Sequence, residues 1–198
     1  VMNILRKLIS LTVFLSLSFT QIIVDQGGFG THTTIQSAVN AAENGETIIV
    51  NPGTYYESVS WQHKSIHLVG SGVESCKIIG SSYAIRYTSP NSTSAHFTNH
   101  IEGFTFQTSN ISAAEGLVEI KENYKSDTYI SRCRFDTPQE NGIAVYSAQS
   151  SNSYGYNSDL FLSIKNNQFV GVENAVKVWN LYNDDYTPDP ELIFNNNV

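Results

Sequence analysis

Three basic side chains stand within copies of a repeated hexapeptide, where they could hold carboxylates. Arg132 and Arg134 fall in Ile130-Ser-Arg-Cys-Arg-Phe135, and Lys165 falls in Ile164-Lys-Asn-Asn-Gln-Phe169. The same frame recurs as Ile101-Glu-Gly-Phe-Thr-Phe106 and Ile193-Phe-Asn-Asn-Asn-Val198, at separations of 29, 34 and 29 residues. Stacked in register, these frames would place Glu102, Ser131 and Lys165 in one outward column about 4.8 Å apart. Arg132 would then lie beside Asn166, and Arg134 beside Gln168. Guanidinium groups in such a strip can take carboxylates of an acidic polymer two bonds at a time. The plainer alternative is a solvated face. A second outward column reads Lys121, Tyr146, Trp179, whose aromatic faces suit sugar rings or pack beneath neighbouring loops.

Other constellations carry less. Asp184, Asp185 and Asp189 crowd one loop and could offer oxygen ligands to calcium, but the D-x-D-x-D-G spacing is missing. His63 and His67, like His96 and His100, are four apart, yet they lie in strand or loop text without the glutamate of a helical zinc motif. No metal and no cofactor is expected. Gly27-Gly28-Phe29-Gly30 and Gly70-Ser71-Gly72 lack the spacing of a phosphate-binding loop and are turns. No nucleophile elbow is present, so the catalytic residues, if any, are unknown.

The elements that must position these residues begin at Val24–Gly72. Thr33 or Thr34 can cap a short helix, in which Ile35, Ala38, Val39 and Ala42 share one apolar face. Gly45 stops it. Thr47-Ile48-Ile49-Val50 is a strand, and Asn51-Pro52-Gly53 turns it into another. In each repeated frame two apolar residues are five apart, so strict alternation would send them to opposite faces. Both point inward only if the chain bends between them. Asn166-Asn167 and Asn195-Asn196 sit at that bend, and Asn tolerates the left-handed conformation of a corner. A further strand follows three frames, at Val118-Glu-Ile120, Ile143-Ala-Val145 and Val176-Lys-Val178. The connectors Ser147–Asp159 and Asn180–Glu191, which hold Tyr154, Tyr156, Tyr182 and Tyr186, read as surface loops.

Val24–Gly72 resembles the opening of right-handed parallel β-helix proteins of the pectin-lyase-like superfamily. Gly53, Tyr55 and Glu57 match the G-x-Y-x-E segment in the N-terminal part of pectin methylesterases. The resemblance implies an all-β fold, a right-handed parallel β-helix with an N-terminal capping α-helix. The catalytic motifs of that family, of the type Q-A-V-A-L, Q-D-T-L, D-F-I-F-G and L-G-R-P-W, are absent between Gly72 and Val198. The likeness therefore transfers architecture and no catalytic residue.

Composition bounds the rest. Residues 1–20 carry Arg6 and Lys7 ahead of an apolar run and read as a secretory signal peptide, too short to span a membrane. Its removal leaves nine of the eleven basic residues against 18 acidic ones, a formal charge of −9. That excludes nucleic acid as the expected partner and obliges an acidic polymer to find a local basic patch. Cys76 and Cys133 could pair outside the cell or remain two buried thiols. Residues 21–198 form the expected β-helix domain. Val198 falls in mid-coil, so the repeat is expected to continue beyond it.

The expected function is that of a secreted or cell-surface domain binding, with processing left open, a polysaccharide of the plant or algal uronic-acid type. Arg132, Arg134, Lys165, Tyr146 and Trp179 are the candidate contacts. One alternative is the N-terminal scaffold of a pectin-type esterase or lyase. Another is a non-catalytic adhesive solenoid.

Overall fold

The computed structural model describes residues 21–88, 96–110, 115–121, 125–137, 142–148, 159–179 and 191–198. The leader at 1–20, the Asp184–Asp189 cluster and the four loop tyrosines lie outside these residues. After β1 (Ile22–Val24) and α1 (Ile35–Ala41), the strands come in triplets. The first two are β2 (Glu46–Val50), β3 (Gly53–Tyr55), β4 (Val59–Gln62) and β5 (Ile66–Gly70), β6 (Cys76–Gly80), β7 (Ile85–Thr88). Then come β8 (Phe97–Glu102), β9 (Thr105–Thr108), β10 (Val118–Lys121) and β11 (Lys125–Ser131), β12 (Arg134–Asp136), β13 (Gly142–Ala148). The last triplet is β14 (Asp159–Lys165), β15 (Gln168–Val170), β16 (Val172–Trp179), with β17 (Glu191–Asn195) following.

First members of the triplets, with β1 and β17, form a seven-stranded sheet A; second and third members form the five-stranded sheets B and C. All pairings are parallel, and each triplet is one coil of a β-helix.

The sequence explains the stack through its inward rows. Ile48, Leu68, Ile101, Ile130 and Ile164 align across sheet A and are fully buried. Tyr55, Ile78, Phe106, Phe135 and Phe169 align across sheet B. Phe135 and Phe169 stack with centroids 5.1 Å apart and planes 6° apart. Burying each such side chain contributes about 1.5–3 kcal/mol, which no single coil could collect without its neighbours.

Between sheets A and B the chain turns through left-handed residues: Gly103 (φ 77), Arg132 (φ 53), Asn166 (φ 59) and Asn196 (φ 54). At Gly103 a side chain is also excluded by space, since a Cβ there would lie 2.5 Å from Gly70 O. Asn167 follows the corner with its amide inside the coil, accepting from Cys133 N–H at 2.9 Å and donating to Ile130 O at 3.0 Å. Asn197 repeats this one coil on, with Asn167 N–H and Ile164 O.

That repeat corrects the fourth frame. Ile164 pairs with Phe194, not Ile193, so the corner falls at Asn196 and Val198 stands outside the phenylalanine row. Three consecutive asparagines made the five-residue spacing ambiguous. The hydrogen bonds of Asn197 resolve it.

The α1 end of the solenoid is closed sheet by sheet. Thr31 Oγ1 bridges Ile23 N–H and C=O, each at 3.0 Å, along the edge of β1. Gln26 Nε2 donates to Thr54 O at 2.8 Å on β3. Gln36 accepts from Ser60 N–H at 2.7 Å and donates to Ser60 O at 2.9 Å on β4. Unpaired strand edges invite another chain to add on, and here a polar side chain sits on each edge, with the His32 backbone also bridging that of β1. The helix itself is capped by Thr34, whose Oγ1 accepts from Ser37 N–H. Ile35, Ala38, Val39 and Ala42 are buried beneath it as the periodicity requires. Lys64 donates to the carbonyls of Val39 and Ala42 at 2.6 and 2.8 Å, which satisfies two groups at its C-terminal end.

Cys76 and Cys133 are separate buried thiols. Burial pushes both up to about 12, so neither is a ready nucleophile.

Candidate functional site

The outer face of sheet A carries a continuous run of rings. Thr47, His67, His100, Tyr129 and Ser163 occupy one outward row, a strand apart at each step. His67 and His100 have ring centroids 5.1 Å apart, and His100 lies on Tyr129 at 4.6 Å with planes only 6° apart. Phe161, beside that row, brings its ring to 5.3 Å from Tyr129. The run therefore spans β5, β8, β11 and β14, and all four side chains remain partly open to solvent.

Carboxylates flank the rings. On one side Asp127 faces His96, Oδ1 to Nε2 at 3.0 Å. On the other, Glu102 lies 3.7 Å from His67 Nε2, accepts from Ser131 Oγ at 3.4 Å and pairs with the Arg132 guanidinium. Burial, and then the neighbouring His67, hold the His100 imidazole below its ordinary range. Burial, and then Asp127, raise the Tyr129 hydroxyl. Both rings are thus neutral near pH 7 and stack as apolar plates with polar edges.

The basic strip is divided by the corner. Glu102, Ser131 and Lys165 do share a row on sheet A. Arg132 occupies the corner, with its side chain 66% exposed. Lys165 is exposed and has no ion-pair partner among the described residues. Arg134 lies beyond the bend on sheet B, in a row with Thr105 and Gln168, and its guanidinium is 3.9 Å from Asp136. Arg132 and Lys165 therefore border the ring face. Arg134 addresses a different one.

The column Lys121–Tyr146–Trp179 does not form. Tyr146 pairs with Glu119 and Lys177, whereas Trp179 pairs with Ala148, two residues further along. Val118, Val145 and Val176 share one row, and Ile120, Ser147 and Val178 the next inward one. The buried Ser147 thus stands where the adjacent coils carry their second apolar residue, and the pair Ile143–Val145 lies two residues too early. Tyr146 instead takes the Lys121 ammonium against its ring, 5.6 Å from the centroid. The side chain of Trp179 lies outside the described atoms.

His67, His100 and Tyr129 show no grouping along the chain, where the histidines pair only at separations of four. Their neighbours are one coil away, at separations of 33 and 29 residues. The signal was present: His100 and Tyr129 each precede the isoleucine that opens a frame.

Glu57, matched to the G-x-Y-x-E segment, is structural. Its two carboxylate oxygens accept from Ile35 and Gln36 N–H at 2.8 and 2.9 Å, at the start of α1. Tyr55 OH donates to Asn51 O at 2.8 Å in the same coil.

No family model matches the sequence, and neither does any curated protein. Among solved structures, a pectin methylesterase from carrot is similar in shape, with a TM-score of 0.44 and 12% identity over 92% of this chain and 84% of that one.

Proposed function

We propose that this chain is an extracellular β-helix domain that binds polysaccharide along the outer face of sheet A. The observation that carries this reading is the near-parallel stack of His100 on Tyr129, extended by His67 and Phe161 across four strands. Flat rings at intervals of one strand suit the apolar faces of successive sugars. Asp127, Glu102 and Ser131 supply acceptors and a donor for hydroxyl groups at the margins. Acidic units of the polymer, of the uronic type, would be engaged by Arg132 and Lys165, the two cations bordering this face. The polar composition and the leader pattern at residues 1–20 support a role outside the cell.

Affinity electrophoresis through gels containing polygalacturonate or a neutral galactan tests the reading. Replacing both His100 and Tyr129 by Ala should weaken retention by about five- to a hundredfold, since two ring contacts of about 0.5–1.5 kcal/mol each are lost. Arg132→Asn with Lys165→Ala should weaken retention only in polygalacturonate. Unchanged retention of a folded His100→Ala/Tyr129→Ala variant would remove the ring face as the binding surface.

A further inference from the structure

A second polar site lies on sheet C, on a different face from the ring run. An open groove of about 490 Å³ runs between α1 and the outer side of β4 and β7. Gln36, Asn40, Ser60 and Gln62 line it together with Lys64, Tyr83 and Arg86, and among the described residues no carboxylate does. That is unusual in a chain with 18 acidic residues against 11 basic ones.

Arg86 is held on two sides. Its Nε donates to Glu119 Oε2 at 2.7 Å, and its guanidinium carbon lies 3.8 Å above the centre of the Tyr83 ring. Glu119 is fully buried although it points outward from its strand, and Glu115 N–H donates to its other oxygen at 3.1 Å. The carboxylate is thereby fixed, and it fixes the guanidinium in turn. Among the described residues, nothing takes the two terminal nitrogens of Arg86, which form the end-on fork. An arginine oriented before its ligand arrives loses little freedom on binding.

We propose that this groove binds a monoanionic carboxylate carried on a small hydroxylated molecule, with Arg86 as its anchor. The planar fork matches two carboxylate oxygens. Charge selects against a doubly charged phosphate, because Glu119 offsets Arg86 and the Lys64 ammonium is already committed to the Val39 and Ala42 carbonyls. Ser60, Gln62 and the open edge of Asn40 face the rest of the ligand with neutral hydrogen-bonding groups. The site is independent of the ring face on sheet A.

Gluconate, its uncharged counterpart sorbitol and inorganic phosphate are the probes, titrated into the isotopically labelled chain and followed by NMR. Gluconate should shift the Arg86 Nε–H and the Ser60 and Gln62 amides, with at least tenfold weaker responses to sorbitol and phosphate. The paired substitution Arg86→Gln/Glu119→Gln removes both charges together, so that no buried carboxylate is left alone, and should weaken gluconate at least tenfold. A Tyr129→Ala chain should bind gluconate as the parent does. Absence of shifts, shifts confined to other residues, or equal response to sorbitol or phosphate would overturn the proposal. The first three readings use the unaltered chain and stand even if the paired variant does not fold.

Discussion

Glu57 reaches back across 22 residues of sequence to accept the Ile35 amide at 2.8 Å, while its second oxygen takes Gln36 N–H. The first turn of α1 has no intrahelical partners for these groups, and its dipole favours a negative charge there. A strand-borne carboxylate thus locks the cap helix onto the first coil. Glu57→Gln keeps one acceptor and loses the charge, and should cost about 1–2 kcal/mol. Urea unfolding measures it. An unchanged midpoint would mean that water serves these amides equally well.

Gln36 guards the edge of β4. Gln36→Ala frees Ser60 N–H and C=O, and it opens a strand edge that another chain can extend. The variant should lose about 1–2 kcal/mol and show concentration-dependent association in sedimentation velocity. A variant that stays at the parent's sedimentation coefficient at all concentrations would show that the edge is protected by other means.

Arg132 stands in a conformation that asparagine occupies at the equivalent corners, Asn166 and Asn196. A left-handed non-glycine residue costs about 1–2 kcal/mol, less for Asn, while the exposed pair with Glu102 contributes under about 1 kcal/mol. Arg132→Asn should therefore match or exceed the parent in stability by thermal unfolding. A lower melting temperature would assign the Glu102 contact more weight than a surface pair ordinarily has.

His100 makes the ring face sensitive to acid. Its folded imidazole titrates below the ordinary 6.5, chiefly through burial and secondly through His67, with Glu102 and Asp127 opposing. A histidine depressed in this way contributes stability that is complete above 6.5 and is lost as pH falls through the folded value. Melting temperature should decline below pH 6.5 more steeply for the parent than for His100→Gln. Parallel declines would place the acid sensitivity elsewhere.

Asn167 is the interior counterpart of these surface groups. Asn167→Leu removes the acceptor for Cys133 N–H and the donor for Ile130 O inside the coil. Two buried backbone groups left unpaired should cost about 2–5 kcal/mol, seen as a large drop in the urea midpoint. A change below that range would indicate that the neighbouring amide of Asn197 shifts to compensate.

Much of the architecture was legible in the residues. The isoleucine and phenylalanine rows, the capping helix and the bends at Asn166 and Asn196 follow from which side chains must be buried and which backbones tolerate a corner. Inward positions announce themselves, because burial selects Ile, Leu, Val and Phe there and the spacing repeats with the coil. The row Glu102–Ser131–Lys165 was readable for the same reason, since each follows an inward isoleucine.

The outward faces needed the fold. His67, His100 and Tyr129 become neighbours only through the parallel ladder between coils, and Tyr146 parts from Trp179 because Ser147, a polar residue, takes the inward position opposite Val178. Arg132 and Arg134, two residues apart, end on different faces because a left-handed corner lies at the first of them. Solvent places little demand on outward side chains, so their text carries no period of its own. Their alignment is set by backbone hydrogen bonds, in which a slip of one residue moves a side chain from one face of the sheet to the other.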